Sequence, residues 1–156
     1  MVELYEPRVE DLWFREKLLN DEDTMSYNHA WGGTIPFPKQ KWKKWYDRWM
    51  LNHENKRFYR YIKEDETFLG EAAYHFDEER QIYIADVIVY APYRGKGYGR
   101  QALLLLCKNA SCNGLRTLFD DIAIDNPSIS LFIECGFTEV LRTSEYVLVK
   151  KELDNG

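Results

Sequence analysis

The sequence predicts one α+β domain in which a single mixed sheet carries helices on its faces. Three observations lead to this prediction: a length of 156 residues, a hydrophobic content of 45%, and strand-like and helix-like runs in the order βααβββαβαβ. A chain of this length buries a sizeable core by itself, and consecutive strands flanked by helices are typical of an α+β fold. We therefore expect residues 1–156 to form a single domain.

The first elements are separated by prolines and by a long loop. Val2–Tyr5 alternates like a short strand, and Val9–Leu19 carries apolar residues at helical spacing. The acidic, glycine- and proline-rich stretch NDEDTMSYNHAWGGTIPFPK then predicts a loop, and loops of that length are usually functional or mobile. Pro38 opens a second helix over Lys39–Asn52.

The second helix carries an aromatic stripe formed by Trp42, Trp45, Trp49, Tyr46 and Met50. One interpretation is a stripe that faces the core. The other is an aromatic wall beside a substrate. The sequence leaves both open.

The middle of the chain predicts an antiparallel meander of Arg57–Lys63, Thr67–Phe76 and Gln81–Tyr90, with KEDET and DEER as polar turns. Further on, RQALLLLCKNA predicts a buried helix and Leu115–Ile124 another strand. A short helix follows over Pro127–Glu134 and ends at Gly136. FTEVLRTSEYVLVKKEL then supplies one or two closing strands.

Charge and cysteine content narrow the class of protein. Lys and Arg number 21 against 26 Asp and Glu, a net charge of −5, which argues against a nucleic-acid binder. The three cysteines lack CxxC spacing, which argues against a disulfide framework or a zinc site and favours a reducing cytoplasm. We find no signal peptide and no run long and apolar enough to cross a membrane.

The stretch YRGKGYGRQ (93–101) follows a strand and precedes a helix. Free N–H groups and the positive end of the dipole make such a helix start an anion site. Gly97 and Gly99 let phosphate oxygens approach the backbone, and Arg94, Lys96 and Arg100 add positive charge. The stretch therefore predicts a pyrophosphate cradle.

Two motifs in register resemble those of the GNAT acetyltransferases. R94-G-K-G-Y-G99 is similar to the family motif R/Q-x-x-G-x-G/A, and DNPSISLFIECGF (Asp125–Phe137) resembles its second motif, an Asn followed by a helix that ends in Gly-Phe. About one helix and one strand separate the two, as in the family. The resemblance covers about 82–137, and the order of elements extends it over the whole chain.

The resemblance implies a mostly antiparallel mixed sheet splayed between two parallel central strands, 82–90 and 116–124, with acetyl-CoA wedged between them and no metal. Backbone groups on the first strand would pair with the pantetheine arm, and the glycine stretch would hold the pyrophosphate. Asn126 would touch the pantetheine, cap the following helix, or do both. The implied cofactor-binding residues are Val87, Val89, Arg94, Gly95, Lys96, Gly97, Tyr98, Gly99 and Asn126.

Such enzymes transfer acetyl directly to an amine, which requires a base. Tyr83 and Asp86 are the first candidates. Asp86 is unusual in a buried strand: it either has a structural partner or is turned toward the cleft by a bulge. Glu71 and His75 on the preceding strand, or a chain of waters, are further choices. Phe132 stands where the family often has a tyrosine acid.

The resemblance therefore implies an acetyl-CoA-dependent N-acetyltransferase that acts on a primary amine of a small molecule or peptide. A CoA-binding module that has lost catalysis is the alternative, because Phe132 cannot donate a proton and no carboxylate base is obvious. Cys107 and Cys135 are expected to be packing residues. Many members form dimers, and EYVLVKKEL is a candidate edge for a homodimer.

The long loop and the aromatic helix would select the acceptor. Tyr27 and Trp31, with Glu71, are the candidate substrate-binding residues, and the rings of Phe37 and Trp45 would add cation–π contacts. Asp21, Glu22 and Asp23 would support a cation. The other interpretation is a solvated acidic turn with ordinary packing. The sequence does not identify the amine.

Overall fold

A computed structural model describes residues 1–154, the side chain of Ala30 excepted. The expected single domain over 1–156 thus includes two positions, 155 and 156, outside the described part. The elements are β1 (Glu3–Tyr5), α1 (Trp13–Asn20), α2 (Trp42–Tyr46), β2 (Arg57–Glu64), β3 (Thr67–Asp77), β4 (Ile82–Val89), α3 (Tyr98–Cys112), β5 (Thr117–Ala123), α4 (Ser128–Glu134), β6 (Thr138–Arg142) and β7 (Tyr146–Glu152).

The strands form one seven-stranded sheet in the order β1-β2-β3-β4-β5-β7-β6. The pair β4 and β5 is parallel and the others are antiparallel. The predicted α+β fold with its mixed, mostly antiparallel sheet is confirmed. The closing run is two strands, and β7 lies between β5 and β6. EYVLVKKEL is therefore not a free edge, which corrects the expectation for the dimer; the edge is β6, whose residues are all exposed.

Helices cover both faces of the sheet because alternate residues of each strand face opposite sides. On one face, Leu103 and Leu106 of α3 pack with Val147 and Val149 of β7. On the other face, Phe14 and Leu18 of α1 pack on Tyr59, Tyr61 and Ala73. The sheet is the middle layer of three.

The first helical segment differs in detail from the prediction. Val9–Asp11 is a 3₁₀ turn, and α1 begins at Trp13. Trp13 is 50% exposed, whereas Leu12, Phe14, Leu18 and Leu19 are buried. Because the helix changes from 3₁₀ to α at Leu12, the buried face of α1 contains Phe14 and not Trp13.

The second helical segment, expected over Lys39–Asn52, changes type along its length. It starts as a 3₁₀ turn (Lys39–Lys41), continues as α2 and ends as a π-helical turn (Asp47–Leu51). Its aromatic stripe is divided between the core and a cavity. Trp42 and Tyr46 pack against the core, whereas Trp49 lines the large cavity described below.

Gly70 in β3 allows β4 to approach closely where it leaves the sheet. Gly70 pairs with Val89, and the Tyr90 N–H donates to Leu69 O at 2.8 Å. A Cβ at Gly70 would overlap Ile88 O and lie 2.9 Å from Val89 Cα. The missing side chain therefore fixes the path of β4 into the glycine stretch.

Gly70→Ala is expected to destabilise the protein by about 1–3 kcal/mol, because backbone atoms cannot move away from the added methyl. Thermal unfolding of both variants measures this. Gly99→Ala is the matched control, since its Cβ would meet Leu131 Cδ2 at 3.4 Å, an ordinary contact with a flexible side chain. If Gly70→Ala unfolded at the same temperature as Gly99→Ala, this account of β4 would be contradicted.

Candidate active site

A cavity of about 800 Å³ opens between β4 and β5. In the described residues, Ile84 and Phe119 form the one pair between these strands. Beyond that pair the strands diverge, and one backbone edge of β4 loses its partner strand. The predicted splay of the two parallel strands is confirmed, and Val87 and Val89 line the gap.

The glycine stretch forms one end of this cavity. Gly97 has φ 83° and is the N-cap of the fifteen-residue helix α3. None of the backbone N–H groups of residues 95–100 donates to an acceptor within residues 1–154. Unpaired amides at the positive end of a long helix form an anion site. Lys96 is exposed beside them, so the residues present suit a pyrophosphate.

Arg94 differs from the rest of the stretch. Its backbone N–H donates to Ala91 O at 3.1 Å, and its guanidinium donates to Thr24 O at 2.8 Å and Asp23 O at 3.2 Å. The guanidinium also lies 5.6 Å from the Tyr27 ring centre. Arg94 therefore connects the glycine stretch to the loop at 21–38, which we call the acceptor loop.

Asn126 lines the cavity from the β5 side. Its side-chain oxygen accepts a hydrogen bond from the Ser128 N–H at 2.9 Å, so the predicted capping role is present. The amide nitrogen of the same side chain makes no hydrogen bond to residues 1–154. Capping and a ligand contact are thus compatible.

Glu71 and Asp86 form a pair of carboxylates in the cavity wall. They lie on the same face of neighbouring strands, and Glu71 is 3% exposed. The buried Tyr59 hydroxyl donates to Glu71 Oε1 at 2.9 Å. Burial, the Glu71 charge and a hydrogen bond with Glu71 raise the pKa of Asp86 well above its usual value, and Arg15 opposes the rise. Asp86 is therefore a stronger base than a solvated aspartate.

Arg15 of α1 occupies an aromatic cage next to this pair. Its guanidinium carbon lies 4.4 Å from the Trp45 ring centre, 4.6 Å from Phe37 and 5.5 Å from Tyr59. Its Nε and Nη1 atoms are buried without a hydrogen-bond partner among the described residues. Phe37 and Trp45, which were expected to contact a cationic acceptor, contact the guanidinium of Arg15 instead, and neither residue lines the cavity.

The structure separates Tyr83 from Asp86, with which it was grouped. Tyr83 points to the opposite face of β4, where its hydroxyl donates to Asn55 O at 3.1 Å and its ring packs on Tyr74. It does not line the cavity, whereas His75 does, with its ring 6.1 Å from Trp49. The carboxylates are therefore the better candidates for a base.

Sequence reasoning missed Asp120 and Asp121 of β5, which also line the cavity. Asp121 is held by Arg80, with N–O distances of 2.8 and 3.1 Å. The signal was present in the string LFDDIAI, where two acidic residues interrupt an apolar strand. The sequence analysis predicted only a strand over these residues and assigned no role to the two aspartates.

The acceptor loop lies over the mouth of the gap. Its 3₁₀ turn (Ser26–Trp31) contains Tyr27 and Trp31, both of which line the cavity. The His29 ring nitrogen lies 3.1 Å from Asp125 Oδ1, and the Trp31 ring lies 6.4 Å from that of Tyr146. Arg94 contacts the loop from the β4 side, so the loop is attached to both sides of the gap.

The acidic turn at the start of the acceptor loop is structural at Asp21. Its carboxylate accepts hydrogen bonds from the Thr24 N–H at 3.0 Å and the Thr24 hydroxyl at 2.6 Å. These two bonds lower the pKa of Asp21. This part of the sequence was therefore better interpreted as a turn than as a cation site.

Phe132 of α4 is 2% exposed and packs against Phe137. It offers no proton at the position of the family tyrosine. Cys107 and Cys135 are buried, and burial raises the pKa of Cys107 to about 11 and that of Cys135. Neither lines the cavity, which fits the packing role expected of them.

Within residues 1–154, no group of His, Cys, Asp and Glu side chains is arranged to hold a metal ion. No helix in the same span has the length and apolar character that a membrane crossing requires.

A sequence model of the acetyltransferase (GNAT) family matches residues 14–137. The chain belongs to the acetyltransferase (GNAT) family. The match contains the glycine stretch, the splayed strands and the carboxylate pair, so the resemblance inferred from two motifs is confirmed over most of the chain.

A curated relative is the uncharacterized N-acetyltransferase YycN of Bacillus subtilis (strain 168), 35% identical over 74 residues. The alignment covers 47% of this chain and 45% of YycN. The chain therefore spans less than half the length of this GNAT relative.

Among solved structures, an N-acetyltransferase of Staphylococcus aureus Mu50 is similar over 99% of this chain and 98% of its own, with a TM-score of 0.78 and 22% identity. A spermidine N-acetyltransferase of Vibrio cholerae, in complex with CoA and spermine, covers 98% and 95%, with a TM-score of 0.79 and 18% identity. A phosphinothricin acetyltransferase of Sinorhizobium meliloti, in complex with acetyl-CoA, covers 99% and 90%, with a TM-score of 0.78 and 17% identity. These likenesses establish the GNAT fold.

Gly97→Val is expected to weaken acetyl-CoA binding at least about tenfold, as measured by calorimetry, because a β-branched residue does not adopt φ 83° and the turn would move its amides. Gly114→Val is the matched control. Gly114 has φ 91° and open space around it, at the other end of α3. Equal loss of affinity in both variants, or in neither, would contradict the phosphate cradle.

Proposed function

We propose that this protein is an acetyl-CoA-dependent N-acetyltransferase that moves an acetyl group directly to a primary amine of a small molecule or peptide. The observation that carries the proposal is a single cavity with unpaired helix-start amides at one end and the Asp86–Glu71 pair in its wall. The first suits the phosphates of the donor, and the second suits the amine of the acceptor. Family membership supports the same assignment.

The donor end would hold acetyl-CoA through residues 95–99 at the pyrophosphate, with the exposed Lys96 adding charge. The open edge of β4 at Val87 and Val89 would pair with the pantetheine arm, and Asn126 would contact it from the other bank. Acetyl-CoA supplies an activated acyl thioester. A backbone N–H on β4 would stabilise the oxygen of that thioester as negative charge develops on it.

Asp86 is proposed as the general base. Its raised pKa brings it closer to the operating pH, which is where a base that removes a proton from an ammonium group is most effective. Glu71 of the neighbouring strand shares a hydrogen bond with Asp86, and the Tyr59 hydroxyl in turn donates to Glu71. Tyr83 is left out of this role because its hydroxyl is bonded to Asn55 on the other face.

The acceptor is proposed to be a cationic amine. Glu71 and Asp86 give this part of the wall an acidic character, which Arg15 offsets only in part, whereas Asp121 is paired with Arg80. The rings of Tyr27 and Trp31 would cover the amine from the acceptor loop. The spermine bound by the similar Vibrio cholerae protein makes polyamines the first class to test.

Two further expectations stay predictions. The cytoplasmic location rests on three cysteines that are free in the structure, and the homodimer rests on the habit of the family. If a second copy pairs through a strand on this side of the sheet, the strand is β6.

Release of thiol from acetyl-CoA, with mass detection of the product, tests the activity across polyamines, amino acids, aminoglycosides and N-terminal peptides. We expect release with a cationic amine. Asp86→Asn should lower kcat/KM by about 10²–10⁴-fold. The same variant should bind acetyl-CoA as wild type does and melt no earlier at pH 8, since it removes a buried charge.

Saturable acetyl-CoA binding without thiol release for any amine would favour the alternative, a CoA-binding module without catalysis. Turnover that survives Asp86→Asn would remove Asp86 as the base while leaving the activity in place.

Glu71→Gln is expected to shift the acidic limb of the kcat/KM–pH profile toward lower pH. The Glu71 charge raises the pKa of Asp86, so removing it lowers that pKa and ionises the base earlier. Both proteins are assayed with the same amine, so the ionisation of the amine cancels in the comparison. A limb that stays in place would show that Asp86 does not control it.

A further inference from the structure

Asp120 is a carboxylate in an apolar environment. Its neighbours on the same face of β5, Leu118 and Ile122, belong to the core, and Val149 lies opposite it on β7. It follows directly after Phe119, the residue at which β4 and β5 part. Asp120 therefore stands at the vertex of the gap, where neither packing nor strand pairing calls for a charge.

Asp86 and Asp120 occupy opposite sides of this vertex. Asp86 lies on the face of the sheet that Glu71, Ala73 and α1 cover. Asp120 lies on the face covered by α3 and α4, which includes Phe132. All of these elements contribute residues to one cavity, α3 through its first turn. A proton acceptor on one side and a proton donor on the other suit the transfer of an acyl group from a thioester to an amine.

Resting on the proposed function, we propose that Asp120 is the general acid that protonates the sulfur of the departing CoA. The amine nitrogen forms a bond to the thioester carbonyl carbon, and the carbon–sulfur bond breaks. The sulfur keeps the electron pair of that bond and takes the proton of Asp120. The nitrogen loses two protons in the cycle: Asp86 removes one from the ammonium group before attack and passes it to solvent, and it takes the second as the amide forms. Solvent then returns a proton to Asp120 and accepts the second one from Asp86, so the cycle closes with the release of one proton.

This role assigns to Asp120 the chemistry that Phe132 cannot supply. Phe132 is buried and has no exchangeable proton, yet it lines the cavity on the same side as Asp120. The proposed acid therefore lies on β5, whereas the tyrosine of the family would lie on α4. A carboxylic acid protonates a thiolate with a usual pKa near 8–9 favourably.

The surroundings of Asp120 keep its proton in place. Burial, then the charges of Asp86 and Asp121, raise its pKa well above the usual value, and a hydrogen bond from the Asp121 backbone opposes them. Arg80 is bound to Asp121 and Asp77 rather than to Asp120. The residues that face Asp120 from α4 and β7, Phe132 and Val149, are apolar.

The alkaline limb of the kcat/KM–pH profile tests this assignment. Wild type should lose activity at high pH as Asp120 ionises, and Asp120→Asn should lack that limb and be about 10–100-fold slower at neutral pH. Asp121→Asn is the matched control: it removes a neighbouring charge of the same sign. It should keep the limb and shift it to lower pH.

A second readout needs no turnover. Carboxyl ¹³C NMR of aspartate-labelled protein without ligand should show two carboxyls that titrate well above the usual range, those of Asp86 and Asp120. One of the two signals should be absent in Asp120→Asn, and the midpoint of that same signal should fall in Asp121→Asn. Melting curves of both variants establish that they are folded.

The outcomes separate the two proposals. No acetyl transfer by wild type would overturn the proposed function and the acid with it. Transfer by wild type with an unchanged alkaline limb in Asp120→Asn would overturn the acid alone. A higher KM for the amine in Asp120→Asn, with the alkaline limb intact, would instead identify Asp120 as an acceptor contact. An Asp120 carboxyl that titrates in the usual range would also overturn its role as an acid.

Discussion

β4 and β5 remain paired at Ile84 and Phe119 and then diverge, and most of the functional architecture follows from this divergence. A parallel pair in the middle of a sheet is normally closed and apolar. Here its opening frees one backbone edge of β4 and places the start of α3 at the far end of the gap. It also makes room for carboxylates at the vertex that a closed sheet would exclude.

Several charges around the gap have partners within the protein. Glu71 has the Tyr59 hydroxyl, Asp121 has Arg80, and Arg15 lies among three aromatic rings. Asp86 and Asp120 are left with raised pKa values because burial and neighbouring carboxylates oppose their ionisation. Such groups are costly for stability and useful for proton transfer, which is the usual balance at an active site.

The acceptor loop links the two ends of this system. Arg94 belongs by position to the glycine stretch, but its side chain holds the loop at Thr24 and Tyr27. On the opposite bank, His29 meets Asp125, the neighbour of Asn126. The two sides of the cavity are thus joined by side-chain contacts through the loop at 21–38.

The sequence by itself determined the fold class, the order of the elements, the position of the glycine turn between strand and helix, and the family. These depend on local patterns: alternation, helical spacing, and glycines at a strand-to-helix turn. It also identified Asp86 as unusual, because a carboxylate interrupts an apolar run.

Only the tertiary structure decided which side chains share the cavity. The pleat separates Tyr83 from Asp86 although they are three residues apart, and Phe37 of the loop and Trp45 of α2 contact Arg15 of α1. The role proposed for Asp120 depends on its position beside β4 and in the same cavity as Phe132. Such groupings depend on contacts between segments far apart in the chain, and no local pattern contains them.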